Sequence, residues 1–269
     1  MLIAIPLGIA IGLSLGALGG GGSILTVPAL VYVLGQDART ATTSSLVIVG
    51  LTSLLALVPH ARAKRVRFTQ GLLFGLLGTA GSFAGSALST AVRPTTLLTA
   101  FAALMLLVAA LMIRRTVKAS RELAHAIDPT VEPMLTLRPF GCACPRVAKV
   151  VVTATVVGLL TGFFGVGGGF ALVPALVLAL GFPMPVAVGT SLLVIAVNSA
   201  TALTARLGSG AGHLEWGLIG VFTASAVLGS LVGGRIASRA NPRHLTLAFA
   251  TLLVLVALYT GARSLGLVG

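Results

Sequence analysis

The stretch Gly16-Ala-Leu-Gly-Gly-Gly-Gly-Ser-Ile-Leu-Thr-Val-Pro-Ala-Leu-Val31 decides the fold, because a second copy of it occurs later in the chain. That copy, Gly162-Phe-Phe-Gly-Val-Gly-Gly-Gly-Phe-Ala-Leu-Val-Pro-Ala-Leu-Val177, lies at an offset of 146 residues, counted from Val27 to Val173. Low complexity could align glycines by chance, but it would not also align the Val-Pro-Ala-Leu-Val block. The chain therefore consists of two related halves, an arrangement common among secondary transporters.

The composition places both halves in a membrane. The chain has 269 residues, of which 57% are hydrophobic and 9% charged, whereas a soluble domain carries about 25% charged residues. Long apolar runs, such as 97–113 and 245–260, have the length of bilayer spans rather than of soluble core helices. We predict an all-α fold, a polytopic transmembrane helical bundle of two homologous repeats. The repeats would cover residues 1–113 and 147–269, joined by a polar cytoplasmic linker at 114–146.

Each half contains five apolar segments, and the first two of each half are short. These short segments, about 13–17 residues each, fall below the roughly 20 residues that a full span needs, and a glycine run separates them. Each pair is therefore predicted to be a glycine-broken helix or a re-entrant hairpin. The segments lie near 2–18, 22–35, 40–58, 69–91 and 95–113, then near 147–165, 168–180, 186–204, 215–234 and 244–261.

The net charge of +13 reflects membrane orientation. The basic residues lie between apolar segments instead of lining one face, which argues against nucleic-acid binding and is typical of cytoplasmic loops. The loop 60–67, the linker, and the arginines at 235, 239 and 243 should all face the cytoplasm. This placement favours inverted repeats with both termini outside. If each glycine-split pair counts as one span, the halves are instead parallel with four spans each.

The two glycine runs, 19–22 and 165–169, indicate where a solute would bind. Backbone groups without partners cost several kcal/mol each in a bilayer, so such breaks occur only inside protein or beside a water-filled cavity. The helices that follow begin near Ser23 and Gly169 and would direct their N-termini at a shared midplane site. Free N–H groups and the helix dipole make such ends favourable for anions. Tight helix packing is the alternative role for these glycines.

The third segment of each half adds hydroxyl groups and an amide. Neutral donors suit an oxyanion, because they bind it without a fixed charge in the membrane, although Ser and Thr in such helices often bond their own backbone. Asn198 is the best single candidate, since its amide is costly to leave unpaired. The full set of candidate substrate-binding residues is Gly21, Gly22, Ser23, Thr43, Ser44, Ser45, Ser53, Gly167, Gly168, Gly169, Thr190, Ser191, Asn198 and Ser199.

Ionisable side chains are scarce inside the predicted spans. Asp37, His60, His213 and Glu215 fall at segment ends, where an interfacial position is expected, so no carboxylate offers an obvious proton relay. The chain lacks the nucleotide-binding, hydrolase and metalloprotease motifs, and no enzyme activity is expected. No cofactor or metal is expected either. The pair at 142 and 144 in the linker is too small a set of cysteines for a closed zinc site.

At the two glycine motifs the chain resembles the sulfite exporter TauE/SafE family of membrane transporters. The resemblance rests on Leu18–Leu30 and Phe164–Leu176, each followed by a Ser-Leu helix start, and it covers nearly the whole chain apart from the linker. It implies a multi-pass protein of a bacterial or archaeal inner membrane that carries sulfite, a sulfonate or a similar small anion by alternating access. An anion channel and a non-transporting scaffold subunit are the alternatives. The sequence leaves open a proton or sodium coupling ion and a homo-oligomeric state.

Overall fold

The computed structural model describes residues 3–89, 94–125, 144–164, 169–207 and 215–264. These residues are almost entirely helical, and no strand occurs among them. In chain order the helices are α1 (Ala4–Leu18), α2 (Gly21–Pro28), which continues as a π-helical turn (Ala29–Val33), α3 (Ala38–Arg62), α4 (Phe68–Ser89), α5 (Pro94–His125), α6 (Cys144–Phe164), α7 (Gly169–Leu178), α8 (Met184–Leu207), α9 (Trp216–Arg239) and α10 (Pro242–Ser264).

Five of these helices are long and apolar enough to cross a bilayer. They are α3, α5, α8, α9 and α10, with spans at Thr40–Arg62, Thr99–Val117, Met184–Thr204, Trp216–Arg239 and Pro242–Ala262. The protein is therefore a multi-pass membrane protein. Helix α5 extends to His125, beyond the start predicted for the linker at residue 114. Residues 114–125 contain neither glycine nor proline, so the helix continues past the apolar segment.

Helices α1 and α2 form a hairpin around the first glycine break. Gly19 ends α1 with a positive φ of 72°, a conformation that glycine adopts without strain, and its N–H donates to the Leu15 carbonyl at 2.8 Å. The chain then turns back and α2 packs on α1, as the surroundings of Gly22 show. A Cβ placed on Gly22 would lie 2.6 Å from the Leu15 Cβ and 2.8 Å from the Ile11 carbonyl oxygen. With 15 and 8 residues, the two helices are each shorter than a span.

The closest helix packing joins the first helix of one half to the fourth helix of the other. Helix α1 packs on α9, and its counterpart α6 packs on α4. A Cβ on Gly12 would lie 1.9 Å from the Ala226 carbonyl oxygen, and one on Gly162 would lie 1.9 Å from the Ser82 carbonyl oxygen. Glycine at these positions lets the backbones touch, which is how helices associate in lipid.

Contacts along each helix pair give the relative directions of the chains. On the α1–α9 face, Gly12 meets Ala226 and Gly16 meets Ser230, so the residue numbers rise together and the helices are parallel. On the α3–α8 face, Gly50 meets Ser199, whereas His60 meets Gly189. There the numbers change in opposite senses, and α3 and α8 are antiparallel although they are repeat partners.

Packing divides the described helices into two bundles, each drawn from both halves of the sequence. The first bundle is α1, α2, α3 and α9, and the second is α6, α7, α8 and α4. Exchanging every helix for its repeat partner converts one bundle into the other. They meet where α3 packs on α8 and where α2 packs on α7, a boundary that we call the seam, while α5 packs on α10.

Replacing Gly12 by valine should disrupt the α1–α9 contact. The new side chain would need the space of the Ala226 backbone, which cannot move aside, so we expect a loss of at least about 3 kcal/mol of folding stability, the upper end for overpacked sites. Gly220→Val on α9 is the matched control, because no atom lies within 4 Å of a Cβ built there. The midpoint of thermal unfolding in detergent measures both variants. An equal midpoint for the two would contradict the packing.

Candidate functional site

The first glycine break meets the start of α7 at the seam. Ser23 and Gly169 are repeat partners, separated by the same 146 residues as Val27 and Val173. A Cβ on Gly169 would lie 2.0 Å from the Ser23 Oγ and 3.0 Å from the Gly20 carbonyl oxygen. Each of these two residues therefore touches its own repeat partner. Position 169 must be glycine because the Ser23 side chain fills the space.

The turn of the first hairpin also contacts the third helix of the second half. A Cβ on Gly19 would lie 2.5 Å from the Ser191 Oγ and 3.2 Å from a methyl group of Val173. Ser191 is fully buried, and its hydroxyl donates to the Val188 carbonyl at 2.8 Å. The structure therefore brings together the break at 19–23, the start of α7 and the buried hydroxyl of Ser191.

Several candidate hydroxyls bond their own helix in this state. Ser23 donates to the Gly20 carbonyl and Ser45 to the Thr42 carbonyl, both at 2.8 Å. Such bonds to the preceding turn are the ordinary behaviour of Ser in apolar helices. Rotation about the Cα–Cβ bond can redirect the same hydroxyl to a solute. These hydroxyls could donate to an anion only after giving up their hydrogen bonds to the backbone carbonyls.

Three buried hydroxyls on α3 have no hydrogen-bond partner among the described residues. They belong to Ser44, Thr52 and Ser53, which are all at most 1% exposed. A buried polar group without a partner costs about 1–3 kcal/mol, so native proteins rarely keep one without reason. Thr52 lies near the middle of the α3–α8 contact along α3, since the pairs Gly50–Ser199 and His60–Gly189 are symmetric about the point between residues 51 and 52. Helix α3 therefore carries three buried donors that bond no described residue.

Asn198, the repeat partner of Thr52, is held by helix α4. Its Oδ1 accepts a hydrogen bond from Thr79 at 3.2 Å, and it is only partly buried. The Thr79 hydroxyl also donates to the Gly75 carbonyl at 2.8 Å. Sequence reasoning missed Thr79, although its repeat partner is Ser225, so a polar residue recurs at the same place in α4 and α9.

The remaining described candidates lie on α2, α3 and α8. Thr190 is fully buried and accepts a hydrogen bond from the Arg67 N–H at 3.2 Å, so it fixes the start of α4 rather than the breaks. Ser199 faces Gly50 across the α3–α8 contact. Thr43 is buried on α3. Gly21 and Gly22 are buried at the start of α2, and a Cβ on Gly21 would lie 3.0 Å from the Ser14 Oγ, a side chain that sequence reasoning did not single out. Gly167 and Gly168 lie outside the described residues.

His60, whose position at a segment end predicts an interfacial location, is 3% exposed and is covered by protein. Helix α3 continues past the apolar segment to Arg62 and carries His60 between three helices. Asp37 and Glu215 are exposed just before α3 and α9, and His213 lies outside the described residues. No sequence pattern distinguished His60 from these, because burial at the end of a span depends on which helices pack beside it.

The electrostatic character of the site follows from these groups. The candidates are all neutral, and helices α2 and α7 begin at the same point, so their partial positive ends reinforce each other. Hydroxyl and backbone N–H donors can replace part of the hydration shell of a small anion without an opposing fixed charge. Among the described residues no group of three or more His, Cys, Asp or Glu side chains could hold a metal ion.

Comparison with known proteins assigns the class and then the family. A probable membrane transporter protein of Xylella fastidiosa is 34% identical over 267 residues, which cover 98% of this chain and 96% of the relative. Similar proteins with the same description occur in Bacillus subtilis (YunE, 27% identical) and in Methanocaldococcus jannaschii (23% identical), each covering at least 96% of both chains. The protein is thus a membrane transporter by class.

The particular family follows from a match to residues 4–260. These residues match the family model described as sulfite exporter TauE/SafE, and the chain belongs to that family. No solved structure matches the chain.

Exchanging the residues at positions 23 and 169 should test the contact between the first glycine break and the start of α7. Gly169→Ala places a methyl group on the Ser23 hydroxyl, and we expect it to cost about 1–3 kcal/mol of stability, as overpacking does. The double variant Ser23→Gly with Gly169→Ala removes the obstructing side chain and should recover more than half of the loss. The midpoint of thermal unfolding in detergent reports this coupling. Strictly additive effects would show that the two residues do not touch.

Proposed function

We propose that this protein is a secondary transporter that moves a small sulfur-containing anion, such as sulfite or a sulfonate, across the cell membrane by alternating access. One observation carries the proposal: Gly169, at the N-terminal end of α7, packs on Ser23 near the N-terminal end of α2, and α3 carries buried hydroxyls without a partner among the described residues. Family membership supports the class of solute, since the family description is that of a sulfite exporter. Proteins of this kind are expected in the inner membrane.

The proposal includes inverted repeats. Repeat partners α3 and α8 run antiparallel, as the pairs Gly50–Ser199 and His60–Gly189 indicate. With α1 and α2 as a hairpin, the loop at 63–67, the linker and the loop near 240 all fall on one side. That side carries most of the arginines and lysines and is the cytoplasmic side by the positive-inside rule. Both termini then lie outside.

Alternating access would use the two mixed bundles rather than the two sequence halves as moving bodies. Moving one sequence half against the other would separate α1 from α9 and α4 from α6, the contacts in which glycine brings backbones together. Moving the first bundle against the second leaves these contacts intact and shears only the seam. The candidate donors lie along that seam, so access to them would change side as it opens at one end and then at the other.

Reconstitution into liposomes tests this function and separates it from its alternatives. We expect saturable sulfite uptake that accumulates against a gradient. Uncoupled flux that does not saturate would indicate a channel, and no flux with sulfite or with a sulfonate would indicate a scaffold. Membrane potential is held at zero with a potassium ionophore so that the charge of the anion does not drive uptake.

Ser53→Ala in the same assay tests the seam as the binding site. Removing an unpartnered hydroxyl does not destabilise the fold, but loss of a hydrogen bond to a charged solute should raise the half-saturation concentration about ten- to a hundredfold. Thr201→Ala is the matched control, because its exposed hydroxyl bonds the Val197 carbonyl of its own helix. An unchanged half-saturation concentration in Ser53→Ala would remove Ser53 from the site.

Labelling from each side of the membrane tests the inverted arrangement. Asp37 and Pro183 are repeat partners, and both are exposed. In a background with Cys142 and Cys144 replaced by serine, an impermeant thiol reagent should modify Asp37→Cys only from outside and Pro183→Cys only from the cytoplasm. Ala63→Cys serves as the cytoplasmic reference. Modification of both partners from the same side would mean parallel repeats.

A further inference from the structure

We propose that His60 is the proton-binding residue that couples anion movement to protons, a role that rests on the proposed transport function. His60 is an ionisable side chain buried within a predicted span, Thr40–Arg62, where such residues are rare and mark ion or proton pathways. Because an imidazole in water titrates near pH about 6.5, it gains and loses its proton in the physiological range.

The surroundings of His60 place it at the seam. Its Cβ lies 3.2 Å from a Cβ built on Gly189 of α8, in the second bundle. A Cβ on Gly234 of α9 would be 3.8 Å from the His60 Nε2 and 3.9 Å from the Gly16 carbonyl oxygen of α1, so the imidazole also faces two helices of the first bundle. His60 therefore touches both bodies that would move, at the cytoplasmic end of their boundary.

Neither imidazole nitrogen forms a well-aligned hydrogen bond with a described residue. The Gly16 backbone is the polar group that interacts with the ring. A buried imidazole whose only polar contact is this weak one with the Gly16 backbone keeps the capacity to take up a proton. The lack of well-formed hydrogen bonds at the ring is a second observation that supports the proposal, in addition to the position of His60.

The charged groups around His60 are cationic. Arg65, in the loop after α3, acts electrostatically on the ring. Arg62 is on the same helix, and Arg235 follows Gly234 on α9 and is exposed. Helix α1 contains no ionisable residue, nor does α8 between Met184 and Thr204. The acidic residues Asp37 and Glu215 precede the opposite ends of α3 and α9.

A proton on His60 adds a positive charge that an anion in the seam can offset. Ser53 and His60 are seven residues apart, so they lie on one face of α3 and are separated by about 10 Å. Anion binding then raises the affinity of His60 for a proton, and by reciprocity protonation of His60 raises the affinity of the site for the anion. The proton enters from one aqueous side, binds a neutral imidazole nitrogen, and leaves to the other side with the anion.

The two repeats differ at this position in a way that suits coupling. The repeat partner of His60 is Arg206. Arginine stays protonated at all physiological pH values, whereas histidine changes charge. Position 206 thus has a residue whose charge does not change with pH, whereas the charge of the residue at position 60 is set by the local pH.

Proteoliposomes carrying His60→Gln, with His244→Gln as the matched control, test the proposal. Glutamine preserves size and polarity and is neutral at every pH, and His244 is exposed at the start of α10. In wild type and in His244→Gln, the half-saturation concentration for methanesulfonate should rise with pH, by up to about tenfold per pH unit for one linked proton. Methanesulfonate is chosen because its own charge is constant over this range. In His60→Gln the half-saturation concentration should not depend on pH.

A second measurement needs only the wild-type protein, so it still tests the proposal if the variants do not fold. With no initial pH gradient, an inward methanesulfonate gradient should acidify a pH dye trapped in the liposomes. His60→Asn serves as a second variant if His60→Gln is not monodisperse in detergent. Anion flux without acidification, or a pH dependence that persists in the His60 variants, overturns this inference and leaves the proposed function standing. Absence of anion flux in wild type overturns both.

Discussion

Backbone groups that lack a helical partner cannot face hydrocarbon, and this constraint shapes the whole molecule. Each half interrupts its first membrane segment with glycines, so each interruption must be covered by protein. The structure meets this requirement by placing one interruption on the other, with the Ser23 hydroxyl against Gly169. The antiparallel seam of α3 and α8 lies beside them. Covering the breaks therefore also creates an interface between the halves, and this interface contains the donors that could hold a solute.

The sequence predicted the parts of the fold that depend on local pattern. The offset repeat, the membrane spans and the short segments around each glycine run all follow from composition and periodicity, and the doubled motif led to the correct family. It could not predict that α1 would pack on α9 instead of within its own half. That choice depends on glycines that let the backbones touch, such as Gly12 against Ala226 and Gly233 against Leu13, and these contacts arise only after folding.

The sequence named a set of candidate residues but could not give their arrangement. Spaced hydroxyls in register pointed to α3 and α8, yet the pattern did not reveal that Ser45 and Ser191 would bond their own backbone while Ser53 would not. Thr190 joined the same list, although it supports the start of α4. The burial of His60 was not predictable, because the hydropathy of a segment does not tell how deeply its end is covered by other helices.

Mixed bundles offer a physical reason why an inverted repeat suits transport. Glycine-mediated backbone contacts hold α1 on α9 and α6 on α4, whereas Ser199 against Gly50 at the seam is a side-chain contact. In the proposed mechanism the seam would be the boundary that moves. If the bundles are related by the repeat as proposed, opening the seam at one end would have a counterpart of similar energy at the other. Small differences between repeat partners, such as histidine against arginine at positions 60 and 206, would then decide which end opens under given conditions.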